Sequence, residues 1–72
     1  MLAAADRVRV EIFDVTGRRV VTLLDRQLPA GEHGVKWSGL DRNGAPEASG
    51  VYFYRVTTES GLSTARKMVL AR

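Results

Sequence analysis

The chain has 72 residues, no cysteine, 11 Lys+Arg against 8 Asp+Glu for a net charge of +3, and 44% hydrophobic residues, which is room for one small domain over residues 1–72. Without cysteine there is no disulfide framework and no thiolate metal site, and the single histidine, His33, cannot build a multi-histidine zinc cage. No stretch approaches the roughly 18 apolar residues of a membrane span, and Met1 to Ala5 lacks the basic start and long apolar middle of a signal peptide.

From Arg7 to Phe13 apolar and polar residues alternate, with Val8, Val10 and Ile12 on one face and Arg7, Arg9 and Glu11 on the other. This is the period of a half-buried strand. Asp14-Val15-Thr16-Gly17 supplies an Asx-type turn with a closing glycine, and the β-rich run Arg18 to Leu24 completes a hairpin. Val20, Val21, Leu23 and Leu24 break strict alternation in that run, which means either that both faces are partly covered or that a bulge shifts the phase. After the Pro29 and Gly31 punctuation, His33, Val35 and Trp37 fall on one side of a third short strand. Ser38 to Gly50 reads as a loop or small hairpin built on Asn43-Gly44. Val51 to Thr58 is nearly all β-branched or aromatic and reads as the central strand, with Tyr52, Tyr54 and Val56 opposite Val51, Phe53 and Arg55. Glu59 to Leu62 turns the chain, and Ser63 to Leu70 closes it with Met68 and Leu70 in phase. Such a series of short strands with no helical period is all-β, an antiparallel sandwich or small barrel. The expected core is Val8, Val10, Ile12, Val35, Trp37, Tyr52, Tyr54, Val56, Met68 and Leu70, with Trp37, Tyr52 and Tyr54 as its aromatic heart.

Reactive constellations are scarce. Asp41-x-Asn43-Gly44 with Glu47 has the look of an oxygen-rich calcium loop, but the remaining EF-hand ligands and flanking helices are missing, so it reads as turn chemistry. His33 shares its phase with Val35 and Trp37 and reads as a half-buried packing residue rather than a base. Glu11, Asp14 and Asp25 sit near hairpin ends as turn formers and edge charges. Arg7, Arg9, Arg18, Arg19, Arg55, Arg66, Lys67 and Arg72 lie mostly at alternating strand positions, as on a solvated outer face. Arg7, Arg9, Arg55 and Arg66 would form a basic stripe if neighbouring outer faces coincide. Phe53 is the main aromatic available there for base stacking, so nucleic acid is not the expected partner. No enzymatic activity, cofactor or metal is expected.

Val8-x-Val10-x-Ile12-Phe13-Asp14-Val15-x-Gly17-Arg18-x-Val20-x-x-Leu23 is followed by Gly31-x-His33-x-Val35-x-Trp37-x-Gly39 and Asp41-x-x-Gly44. Ser49-Gly50-Val51-Tyr52-Phe53-Tyr54-Arg55 and Arg66-Lys67-Met68-Val69-Leu70 come next. This series closely resembles the Ig-like domain family shared by the flagellar hook-capping protein and the C-terminal type A sorting domains of the type IX secretion system. The resemblance implies a seven-stranded Ig-like antiparallel β-sandwich. For function it implies a sorting and surface-attachment domain of a larger secreted bacterial protein, located outside the cell or on its surface and recognised by secretion or assembly machinery. The alternative is a structural module that oligomerises by strand addition or swapping. The family's Gly-x-Tyr motif falls on Gly50 and Tyr52, its Asp-x-x-Gly turn on Asp41 and Gly44, and its terminal basic-apolar strand on Lys67, Met68, Val69 and Leu70 followed by Arg72. Gly50, Tyr52, Lys67, Met68, Val69, Leu70 and Arg72 are therefore the candidate recognition residues, Gly50 admitting the chain to a crowded strand. Members of the family usually open with additional strands before the position of Val8. Only Met1 to Asp6 stand there, so residues 1–6 read as a flexible or truncated terminus. The sandwich would then lack its N-terminal strand and expose an apolar groove and an open edge for strand addition or self-association.

Overall fold

The computed structural model describes residues 2–71. Four strands, β1 (Asp6–Phe13), β2 (Arg19–Leu28), β3 (Gly50–Thr58) and β4 (Ser63–Leu70), form one antiparallel sheet in the order β2-β1-β3-β4. The fold is all-β, as expected, with four strands among the described residues where the resemblance implied seven. Of the two layers expected, one is this sheet and the other is the segment between β2 and β3, which crosses the inner face and holds no strand of its own. The expected third strand through His33, Val35 and Trp37 is therefore corrected. A strand needs a ladder partner to satisfy its backbone groups, and that segment pairs with none of the four strands. Its alternation is left without a sheet to face: Val35, placed in the core from sequence, is 44% exposed. His33 is exposed as well, donating from its ring Nε2 to the Pro29 carbonyl at 2.6 Å.

The broken alternation of β2 has a local cause. Val10 faces Leu24 and Glu11 faces Thr22, so Leu23 is unpaired; Ile12 faces Val21 and Phe13 faces Arg19, so Val20 is unpaired. Two bulges in one strand let four apolar residues reach one side. Val20, Val21, Leu23 and Leu24 accordingly all pack into the core clusters. β2 also runs on to Leu28, four residues beyond the expected end, and Leu28 is itself buried.

The core has two centres on the inner face. Val8, Val10 and Leu28 form one, and Ile12, Val20 and Tyr52 the other. Ile12 is 1% exposed and is the most enclosed large side chain. Trp37, Tyr54, Met68 and Leu70 pack on the second centre and Val56 on the first, all of them half-buried rather than fully enclosed. Trp37 meets Tyr52 edge to face, with ring centroids 4.9 Å apart, and its indole N–H donates to the Leu40 carbonyl at 2.8 Å. Tyr52 donates its hydroxyl to the Ala48 carbonyl at 2.6 Å. These polar ends are satisfied at the rim, as buried aromatic donors require.

The turns follow the sequence closely. Asp14 Oδ1 accepts from the Thr16 and Arg18 amides and the Thr16 hydroxyl, and Gly17 takes a positive φ of 87° that closes the hairpin. Asp41 Oδ1 likewise caps the amides of Asn43 and Ala45, each at 2.9 Å, inside a small loop closed by a Leu40–Pro46 bridge. At the other end of the chain Leu2 and Gly31 exchange two backbone hydrogen bonds, of 2.8 and 2.9 Å, which tie the stretch before β1 to the start of the crossing segment.

Candidate functional site: an open inner groove and a bare edge

Because the crossing segment lacks a second sheet, the inner face is only partly roofed. Between the sheet and that segment lies a groove of about 510 Å³, whose floor includes Val10, Leu24, Tyr54, Val56 and Met68 and whose wall includes Trp37. Its size is that of a ligand pocket, yet its lining is overwhelmingly apolar and offers no convergent set of titratable groups. His33 reaches the groove wall, but its ring is engaged with a backbone carbonyl. No group of three or more His, Cys, Asp or Glu side chains among the described residues is placed to hold a metal ion. The arrangement suits the burial of another apolar surface.

Beside the groove stands β4, whose sole strand partner among the described residues is β3. The candidate recognition residues converge on this pair. Gly50 faces Leu70, Val51 faces Val69, Tyr52 faces Met68 and Phe53 faces Lys67. They do not share a face, however. Tyr52, Met68 and Leu70 turn toward the core, while Lys67 and Val69 are exposed on the opposite side. Arg72 lies outside the described residues. The role expected of Gly50 is also corrected. A Cβ built there meets no atom within 4 Å, so crowding does not demand glycine; its φ of 153° does, because L side chains rarely adopt it.

The outer face departs from a plain solvated surface. Glu11, expected at a hairpin end, sits mid-strand and is 3% exposed. Arg55 Nη2 approaches its Oε1 at 3.1 Å and Arg19 Nη1 its Oε2 at 3.4 Å, so one carboxylate from β1 is shared by arginines of β3 and β2. Arg55 also lies over the Phe13 ring, 4.8 Å from its centroid. Asp25 is shared in the same way by Arg7 and Arg9. Of the stripe expected from sequence, Arg7, Arg9 and Arg55 do lie together, but Arg66 faces Tyr54 in the register and so belongs to the inner side. Two half-buried carboxyls have acidities set by local bonds. Asp14 is held below the usual carboxylate range chiefly by the Thr16 hydroxyl; desolvation opposes this, and the Arg18 and Thr16 amides and the Arg18 side chain add to the lowering. Asp6 is lowered in the same sense, chiefly by the Ser60 hydroxyl.

Sequence reasoning missed the burial of Glu11 and the pairing of Phe13 with Phe53. For the second, phase gave the outward side of Phe13, which follows Arg7, Arg9 and Glu11 at spacings of two, but its register against Phe53 was not available from the sequence.

Comparison with known proteins gives one family match: the model of the FlgD Ig-like domain covers residues 1–61. Neither a curated protein nor a solved structure matches the chain significantly. The match takes in β1 to β3 and the crossing segment; β4 follows it.

Proposed function

Since this chain belongs to the FlgD Ig-like domain family, we propose that it is a non-catalytic, hook-capping-related assembly module of a larger secreted or surface protein. It works by taking an extended apolar segment of a neighbouring polypeptide, including a second copy of itself, against the inner face and along β4. The observation that carries this reading is the half-roofed apolar groove beside an edge strand with one strand partner. An uncovered apolar surface gains free energy when another surface removes it from water, and an edge strand offers backbone donors and acceptors to an incoming strand. Light scattering across a concentration series tests it. The mass is expected to rise above 7.9 kDa with concentration, and Met68→Glu, placing a charge at the groove, is expected to return it to the monomer. A chain that stays monomeric at every concentration and unfolds cooperatively would refute the assembly reading.

A second reading is favoured by β4 itself, where exposed Lys67 and Val69 flank inward-facing Met68 on the closing strand. In this reading the domain is a sorting and surface-attachment signal read by secretion machinery. Fusing residues 1–72 to a periplasmic reporter, in a host with type IX machinery, should deliver the reporter to the surface. Deleting residues 67–72 should abolish delivery. A reporter retained in the periplasm by the intact fusion would rule this reading out.

A further inference from the structure

The outer face can be read in rows across the strands. One row runs Arg19, Phe13, Phe53, Lys67, and the next runs Thr22, Glu11, Arg55, Ala65. On the other side of the aromatic row Val51 faces Val69. Phe53 and Val51 are each 38% exposed and Val69 67%, and Val15 in the adjoining turn shares a shallow pocket with Phe13 and Phe53. Among the described residues, the exposed large hydrophobics that lie elsewhere are Val35 and Leu62. Apolar side chains gathered on what should be the solvated face of a sheet mark an interaction surface.

The charges around this patch are unbalanced. Arg19 and Arg55 share the single carboxylate of Glu11, and Lys67 forms no ion pair among the described residues. The aromatic pair is therefore bracketed by positive charge at both ends of its row. We infer that this end of the outer face docks an extended acidic peptide segment that presents carboxylate, apolar and carboxylate side chains at alternating positions. Spacing supports the match. Arg19 and Lys67 stand three strand spacings apart, about 14 Å. An extended chain advances about 3.4 Å per residue, so side chains at i and i+4 on one face span nearly the same distance, with i+2 above the Phe13–Phe53 seam.

Two other occupants fit less well. A second copy of the same face would bring like charges together. Single-stranded nucleic acid needs several open rings for successive bases, but the Arg55 guanidinium covers Phe13 and leaves Phe53 as the open ring of the row, and Arg7 and Arg9 farther along the face are engaged by Asp25. This inference does not rest on the inner groove, since the two surfaces lie on opposite sides of the sheet.

The test is a titration of the full chain, followed by backbone amide NMR shifts. The probes are a nonapeptide Gly-Gly-Glu-Thr-Phe-Thr-Glu-Gly-Gly, the same peptide with Lys for both Glu, and a fifteen-residue oligo-dT. The glutamate peptide should shift the amides of Phe13, Phe53 and Lys67, and its binding should weaken as salt rises. Phe53→Ser and Lys67→Glu each alter an exposed side chain, so the fold should persist in the same spectra. Each should weaken binding by about tenfold. The inference is overturned if the lysine peptide binds as well as the glutamate one, if shifts fall instead on Val56 and Met68, or if only oligo-dT binds.

Discussion

Replacing Ile12 with alanine tests whether the inner face is a packed core or a loose apolar layer beneath an open groove. Ile12 is 1% exposed and touches Val20, Tyr52 and the half-buried ring of aromatic and aliphatic side chains around them. The substitution deletes three carbon atoms, which at about 0.8 kcal/mol per buried methylene removes about 2.4 kcal/mol of transfer free energy. Incomplete collapse of the space left behind, at about 24 cal/mol per Å³, adds about 1 kcal/mol more. A loss of about 3.5 kcal/mol is a large share of the total for 72 residues, which at 0.05–0.15 kcal/mol per residue is about 4–11 kcal/mol. With an unfolding entropy of about 2.1 cal/mol/K per residue the midpoint should fall by about 23 °C. Urea and thermal unfolding followed by the fluorescence of Trp37, the one tryptophan in the chain, measure both. A loss under about 1 kcal/mol with an unchanged urea slope would refute the reasoning, because it would mean that neighbouring side chains flow into the gap.

Three further outcomes follow from the same structure. Trp37→Ala should cost about 2 kcal/mol, less than the 3–5 typical of a fully enclosed ring, because the indole is half-buried against Tyr52; chemical unfolding followed by circular dichroism checks this. Gly50→Ala should cost about 1–2 kcal/mol through its backbone angle alone, since its φ is 153° and nothing lies within 4 Å of an added Cβ; the shift in urea midpoint reads it. Asp14 and Asp6 have acidities lowered by folding, so each adds stability that is fully present above its unfolded value and disappears as pH falls through the lowered folded one. Stability measured from pH 6 down to 2 should therefore decline below about pH 4, and less steeply in Asp14→Asn. An unchanged acid limb in that variant would show that the Thr16 and Arg18 bonds do not couple to folding.

How much of this could be read from the chain depended on the range of the forces involved. The faces of β1 and β3 and both Asp-led turns were legible because alternation and Asx hydrogen bonding are local properties. The His33, Val35 and Trp37 segment alternates as cleanly as β1, but strand formation also needs a partner with unfilled backbone groups, and nothing local says whether one is present. Val20 to Leu24 showed the opposite case, an irregular pattern inside a real strand, and only the register against β1 revealed two bulges. An apolar groove was expected, but what leaves the inner face half-roofed is the missing strand in the crossing segment, which local pattern did not reveal. The outer patch was half visible in Phe53, and stayed incomplete because the partnership of Phe13, Arg19 and Lys67 joins three separate strand pairings.

The strand order also fixes how the domain meets tension. β1 and β4 both run antiparallel to β3 and so point the same way, which sets the start of β1 and the end of β4 at opposite extremities of the sheet. A pull between those two points slides the strands lengthwise past β3, and the ladder bonds, lying perpendicular to the strands, must yield together rather than one after another. A module threaded into a filament or a tethered surface protein through these ends would resist stretching by shear, with the salt link from Glu11 to Arg55 bracing the β1–β3 seam.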